Sequence, residues 1–222
     1  MTKTISPADL IPMDQYAGDY PISIHLAYQK DAPPNIFGKI YRDGARLWLH
    51  KDLAQIVLRA AKIIHEKHGY SLVLYDGLRT TEAQEKMRQS KIVQANPQWL
   101  EEPGRLLSPP GGGAHPRGMA IDLSALDEKG NLLDMGTVFD HLAANSAPEN
   151  NPAHRAYKSL GKTAAQNRKS LSNAMNEAAQ ALNIPLFPLP QEWWDFRLPA
   201  EIYQAYAPLS DTDLPPEMRM CS

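Results

Sequence analysis

The stretch HKDLAQIVLRAAKIIHEKHGYSLVLYDGLR narrows what this chain can become more than any other. Leu53, Ile56, Val57, Ala60, Ile63 and Ile64 recur at helical spacing and make one apolar face. Gly69 then supplies the left-handed stop that ends a helix. The next segment, SLVLYDGLR, predicts a short apolar strand over Leu72 to Tyr75 that runs into an Asp-Gly turn, leaving Asp76 and Arg79 at its end.

Further elements obey the same logic. TTEAQEKMRQS opens with a threonine cap and an acid in its first turn, the signature of a second helix. AAQNRKSLSNAMNEAAQALN carries Leu171, Ala174, Met175, Ala178 and Leu182 as an apolar stripe that predicts a third, core-packed helix. PGRLLSPPGGGAHPRG reads as a proline and glycine loop, MAIDLSAL as a strand, and EWWDFRL as a last strand. If that strand is regular, Glu192, Trp194 and Phe196 point one way and Trp193, Asp195 and Arg197 the other. For Glu192 and Asp195 to act in one site, a bulge or bend must then separate them.

The 222 residues, 43% of them hydrophobic, suit one domain over 1–222, and neither repeats nor low-complexity tracts suggest a second. A formal charge of -2 writes in no attraction to nucleic acid or to an anionic membrane. Cys221 is the only cysteine, so neither an intrachain disulfide nor a cysteine zinc cluster is available. The N-terminus lacks the apolar core of a signal peptide, and nowhere do about 18 apolar residues run together, so a soluble, cytoplasmic protein is expected.

The chemistry-bearing residues are scattered. In HPRGMAID, His115 precedes Asp122 by seven places in a glycine-rich loop that leads into a strand. Imidazole nitrogen and carboxylate oxygen both ligate zinc, and the glycines let loop and strand reach one ion. Taken alone, the pair also describes an exposed loop histidine and a strand-capping aspartate.

Joined, the pieces form a pattern. The order DGLR, HPRGMAID, DMGTVFD, AQNRKSL, EWWDF resembles the D-alanyl-D-alanine dipeptidases, zinc enzymes known from vancomycin resistance within the wider group of zinc D,D-peptidases. The likeness runs from NIFGKIY past EWWDF. It implies an α+β domain with a small antiparallel sheet, packed helices and a metal cleft, the hedgehog-like fold of the zinc D,D-peptidases. It further implies metal-dependent hydrolysis of D-Ala-D-Ala or a related dipeptide of peptidoglycan metabolism, with one zinc ion per chain. Carried over by position, His115 and Asp122 become metal ligands, Glu192 the catalytic base and Arg79 the stabiliser of a developing oxyanion. Asp140 becomes the holder of the substrate ammonium, with Asp76 and Tyr28 as further residues on the substrate side. On local grounds alone, Arg79 also reads as a surface partner of Asp76, and Asp140 as the cap of a helix starting at HLAAN.

One central position departs from the family. Asp195 stands where a histidine serves as third zinc ligand. A carboxylate binds zinc at a similar distance but adds negative charge and makes a bound water less acidic. Weak zinc affinity, or a harder ion such as manganese, is the expectation, with an Asp195→His change raising zinc affinity. Gly113 replaces a serine near the substrate, and Leu78 and Thr80 replace a tyrosine and a proline around Arg79, so an altered pocket is also expected. Two rival readings arise from these departures: a binding protein of the same fold that no longer cleaves, and a D,D- or L,D-carboxypeptidase acting on longer stem peptides. His25, His50, His65, His68, His141 and His154 are read as solvated or structural.

Overall fold

A computed structural model describes residues 2–103 and 105–221, so Gly104 of the expected loop lies outside it. Two short strands, β1 (Leu10–Pro12) and β3 (Trp48–His50), pair antiparallel near the N-terminus. The main sheet has five strands: β2 (Ile22–Ile24), β4 (Ser71–Asp76), β5 (Ala120–Leu126), β7 (Asp195–Arg197) and β6 (Phe187–Pro188), in that spatial order. Helices α1 (Lys51–His68), α2 (Thr81–Arg88), α3 (Lys91–Gln94), α4 (Lys162–Leu182) and α5 (Ala200–Tyr203) complete the α+β architecture. The sheet is mixed rather than antiparallel throughout, because β2 runs parallel to β4 at one edge.

Helix α1 ends as its sequence demands. Gly69 takes φ 70°, and its N–H donates to the carbonyl of His65. Of the α4 stripe, Leu171, Ala174, Met175 and Ala178 are buried, and the helix packs on α1, which in turn packs on β4. Thr80 occupies the N-cap position of α2, yet its side chain makes no capping bond there. Among the described residues no helix is long and apolar enough to cross a membrane.

Register decides which residues face which way. Leu72 pairs with Ala125, Leu74 with Leu123, and Ile121 with Phe196, so these completely buried side chains share the apolar face of the sheet. Between Leu74 and Asp76 the register shifts by one residue, so that Asp76 rather than Tyr75 stands opposite Asp122. Side chains alternate with a period of two, so this bulge turns Asp76 onto the same face as Asp122.

The turn leaving β4 is equally constrained. A Cβ on Gly77 would lie 2.5 Å from the Trp48 carbonyl oxygen and 2.8 Å from Leu49 Cδ2, and backbone cannot yield as a flexible side chain can. Gly77→Ala is expected to lower stability by about 1–3 kcal/mol in chemical denaturation, as forced overpacking does.

Candidate functional site

On the polar face of the sheet, Asp76, Asp122 and Asp195 stand opposite one another on β4, β5 and β7. All three are buried, at 0%, 2% and 0% exposure. Like charges directly opposite across strands repel, and the repulsion is strongest away from water, so each must be answered by a cation or a donor. Asp76 is fully engaged: Arg79 donates to its Oδ2 through Nε at 2.9 Å and a terminal nitrogen at 2.7 Å, while the Tyr41 hydroxyl donates to Oδ1 at 2.5 Å. Asp195 accepts two bonds from one edge of the Arg197 guanidinium, at 2.8 Å from Nε to Oδ1 and through a short contact from a terminal nitrogen to Oδ2. Asp122 is the least satisfied. Its Oδ2 lies 3.3 Å from Arg79 and 3.6 Å from His115 Nε2, and its buried Oδ1 has no hydrogen-bond partner among the described residues.

His115 enters from the loop before β5. Its Nδ1 is 2.8 Å from the carbonyl oxygen of Gly77, an acceptor only, so Nδ1 carries a proton that it donates there. That leaves Nε2 turned toward Asp122 at 3.6 Å and Asp195 at 3.3 Å. Burial and the Arg79 charge oppose protonation of this ring, yet Asp122 and Asp195 lift its pKa to about 10. Asp195 moves the other way: burial alone would raise it, but Arg197 and His115 hold it below the ordinary carboxylate range. The neighbourhood therefore favours positive charge between His115, Asp122 and Asp195.

Glu192 reaches the same place by a route the strand alternation did not give. β7 begins only at Asp195, and Glu192 lies in the preceding turn, so the expected strand EWWDFRL is shorter at its start. The turn releases Glu192 from alternation, and one ligand oxygen each of Asp122, Glu192 and Asp195 lie within 4.8 Å of one another. Arg155 ties this turn down, donating to the carbonyls of Leu189, Trp193 and Asp195 at 2.9 Å each. Burial first, then the charges of Asp195 and Asp122, raise Glu192 to about 8. Arg155 carried no signal in the sequence, because the atoms through which it holds this turn are backbone carbonyls 34 to 40 residues away.

Asp140 and Tyr28 form a second part of the site. The Tyr28 hydroxyl donates to both oxygens of Asp140, at 3.1 and 3.0 Å, and the Tyr28 ring lies 5.2 Å from the Arg79 guanidinium carbon. Asp140 adopts φ 59°, a left-handed conformation seldom taken by residues other than glycine. Burial, then the charge of Asp122, pushes its carboxyl well above the usual range. No helix begins at HLAAN, so Asp140 is not a cap. Nor is Arg79 a surface partner of Asp76, since the two side chains are 11% and 0% exposed.

These residues line one cleft of about 180 Å³, smaller than the roughly 300–1,000 Å³ of sites for drug-sized ligands. Trp194 forms part of its wall, whereas Trp193 is buried and donates to the Thr137 hydroxyl at 2.8 Å. The expectation of a pocket altered at Leu78 and Thr80 is corrected: both are completely buried and neither lines the cleft. Gly113 does line it, at φ 76°, and a Cβ there would lie 3.2 Å from Ser108 Oγ. A neighbouring hydroxyl thus already stands against the space that a side chain at 113 would take.

The donor chemistry fits a divalent cation. Two overlapping groups of donors lie within 4.8 Å, Asp76 with His115 and Asp122, and Asp122 with Glu192 and Asp195. In the first group Asp76 is consumed by Arg79 and Tyr41, and His115 Nδ1 by Gly77. What remains is His115 Nε2 and the Asp122 carboxylate with its orphaned Oδ1, with Asp195, paired to Arg197, and Glu192 beside them.

A protein-family model described as D-Ala-D-Ala dipeptidase, of peptidase family M15, matches residues 7–211. The chain is 34% identical over 178 residues to a D-alanyl-D-alanine dipeptidase of Escherichia coli (strain K12), covering 80% of this chain and 79% of that one. It is 28% identical over 172 residues to a D-alanyl-D-alanine dipeptidase of Enterococcus faecium, covering 68% and 73%. A third of the same name, from Synechocystis sp. (strain ATCC 27184 / PCC 6803 / Kazusa), is 30% identical over 131 residues, covering 56% of this chain and 49% of that one.

Proposed function

The chain belongs to the D-alanyl-D-alanine dipeptidase family, and from that premise we propose that it cleaves the amide of D-Ala-D-Ala at a single metal centre held by His115, Asp122 and Asp195. The family is metal-dependent, and zinc is the ion that this reading assigns. The observation that carries it is the buried Asp122 Oδ1, without a partner among the described residues, beside the convergent His115 and Asp195 atoms. A carboxylate oxygen without a donor, away from water, is costly unless a cation meets it.

When bound, the ion supplies Lewis-acid chemistry, polarising the scissile carbonyl and making a water more acidic. The protein does the rest. Asp140, fixed by the Tyr28 hydroxyl, receives the substrate's ammonium, and a small cleft with an acid at that end suits a dipeptide better than a longer stem. Glu192, within reach of Asp122 and Asp195, takes a proton from the attacking water and delivers it to the leaving amine, as a general base does. Arg79, held rigidly by Asp76, meets the negative charge that develops on the carbonyl oxygen. Tyr41 holds the other oxygen of Asp76, so the guanidinium is oriented before substrate arrives.

Replacing His115 with Ala should abolish uptake of one metal equivalent, read by elemental analysis of the purified protein; unchanged stoichiometry would show that the ligands lie elsewhere. Replacing Glu192 with Gln should leave metal bound while kcat for D-Ala-D-Ala falls about 100-fold or more, the ordinary share of a general base. Full activity in that variant would remove Glu192 from the chemistry. N-acetyl-D-Ala-D-Ala should be a poor substrate, because the Asp140 carboxylate then faces an amide in place of an ammonium; equal turnover of free and acetylated dipeptide would refute the role of Asp140.

A further inference from the structure

Asp195 does not stand alone. Arg197, two residues on along β7, points to the same face and grips both oxygens of the Asp195 carboxylate. Among the described residues its guanidinium donates to no other acceptor, and its side chain is 13% exposed. Its backbone is set between Ala120 on β5 and Phe187 on β6, so the fork springs from a fixed point of the sheet. One terminal nitrogen of Arg197 also passes 3.9 Å from the point where a Cβ on Gly113 would stand. The two departures in the cleft, a glycine at 113 and an acid at 195, thus meet at one guanidinium.

We infer that Asp195 and Arg197 act as one unit, a charge-compensated third ligand, with Arg197 as a positioning residue of the metal centre. The inference rests on the proposed metal centre of His115, Asp122 and Asp195. A ligand set of neutral histidine, aspartate and neutral histidine carries a charge of 0 - 1 + 0 = -1, counting roughly by ordinary ionisation states. His115, Asp122 and Asp195 carry 0 - 1 - 1 = -2 on the same rough count, and the Arg197 cation returns the sum to -1. A carboxylate oxygen has two lone pairs, so Asp195 Oδ2 can serve both a guanidinium and an ion. Arg197 fixes the direction in which that oxygen presents its free lone pair, as outer partners of metal ligands do, and withdraws the excess charge that would blunt the ion's acidity.

This reverses the expectation for Asp195→His. The imidazole restores the family's ligand but strands Arg197, a buried cation with its carboxylate removed, beside a divalent ion. Zinc affinity is to be measured by competition with a chromophoric chelator for the parent, D195H, R197M, D195H/R197M and R197K, with folding checked by circular dichroism. D195H should bind zinc about tenfold or more weakly than the parent, and R197M in that background should recover the loss, a factor typical of outer-partner changes. In the parent background R197M should bind zinc about tenfold or more weakly, because Asp195 loses the partner that orients it, and R197K, which keeps the charge, should stay near the parent. A D195H variant that binds zinc as tightly as the parent, or a double variant no better than D195H, overturns the inference. Should D195H fail to fold, loss of zinc to the same extent in R197M and R197K assigns Arg197 a packing role and overturns it equally. A parent protein that takes up no metal sinks the metal-centre reading and this inference with it, whereas a metal-binding parent with a tighter D195H sinks the inference alone.

Discussion

Three carboxylates on neighbouring strands, Asp76, Asp122 and Asp195, face one another away from water, and the arrangement of the cleft depends on keeping them there. Such a row is unfavourable by itself, since it stacks desolvation on like-charge repulsion. Each flank is neutralised by an arginine from its own segment: Arg79 three residues beyond Asp76, Arg197 two residues beyond Asp195. The middle acid has no arginine to itself. Asp122 shares Arg79 and His115 and keeps one oxygen unpaired among the described residues, so the least compensated negative charge falls at the centre of the row, where a divalent cation has the most to gain.

Backbone geometry makes this row regular enough to be useful. The bulge before Asp76 puts that residue on the face of Asp122, where uninterrupted alternation would have sent Tyr75. Gly77, too close to the Trp48 carbonyl to carry a side chain, offers its own carbonyl to His115 Nδ1 and so frees Nε2 for the row. At the other flank, Arg155 gathers three carbonyls of the turn that carries Glu192. Glu192 and Asp195 are therefore both held by one side chain from a distant loop, and Glu192 lies outside the strand that carries Asp195.

The departure at position 195 looks different in this setting. Viewed as a single substitution, an acid for a histidine overloads the centre with negative charge. Viewed with Arg197 two residues later, it exchanges a neutral ligand for an ion pair of the same net charge. The remaining elements that the family pattern places in the cleft, Glu192, Arg79, Asp140 and Tyr28, occupy it together with this pair.

Periodicity and local chemistry were enough for the elements that depend only on neighbours in the chain. Helix α1 with its glycine stop, the α4 stripe and the apolar runs of β4 and β5 are written in spacing, and spacing survives any fold that buries the stripe. The order of motifs pointed to His115, Asp122, Glu192, Arg79 and Asp140, and even the shared face of Asp195 and Arg197 was legible from a period of two. Tertiary structure alone decided the rest. Strand order and a parallel edge, the bulge that turns Asp76, the turn that frees Glu192 and the burial of Leu78 away from the cleft all depend on contacts between residues far apart in sequence. The meaning of Asp195 belongs there too, because the charge of a buried group is set by what surrounds it in space, and only the folded sheet brings His115, Asp122 and Arg197 to it at once.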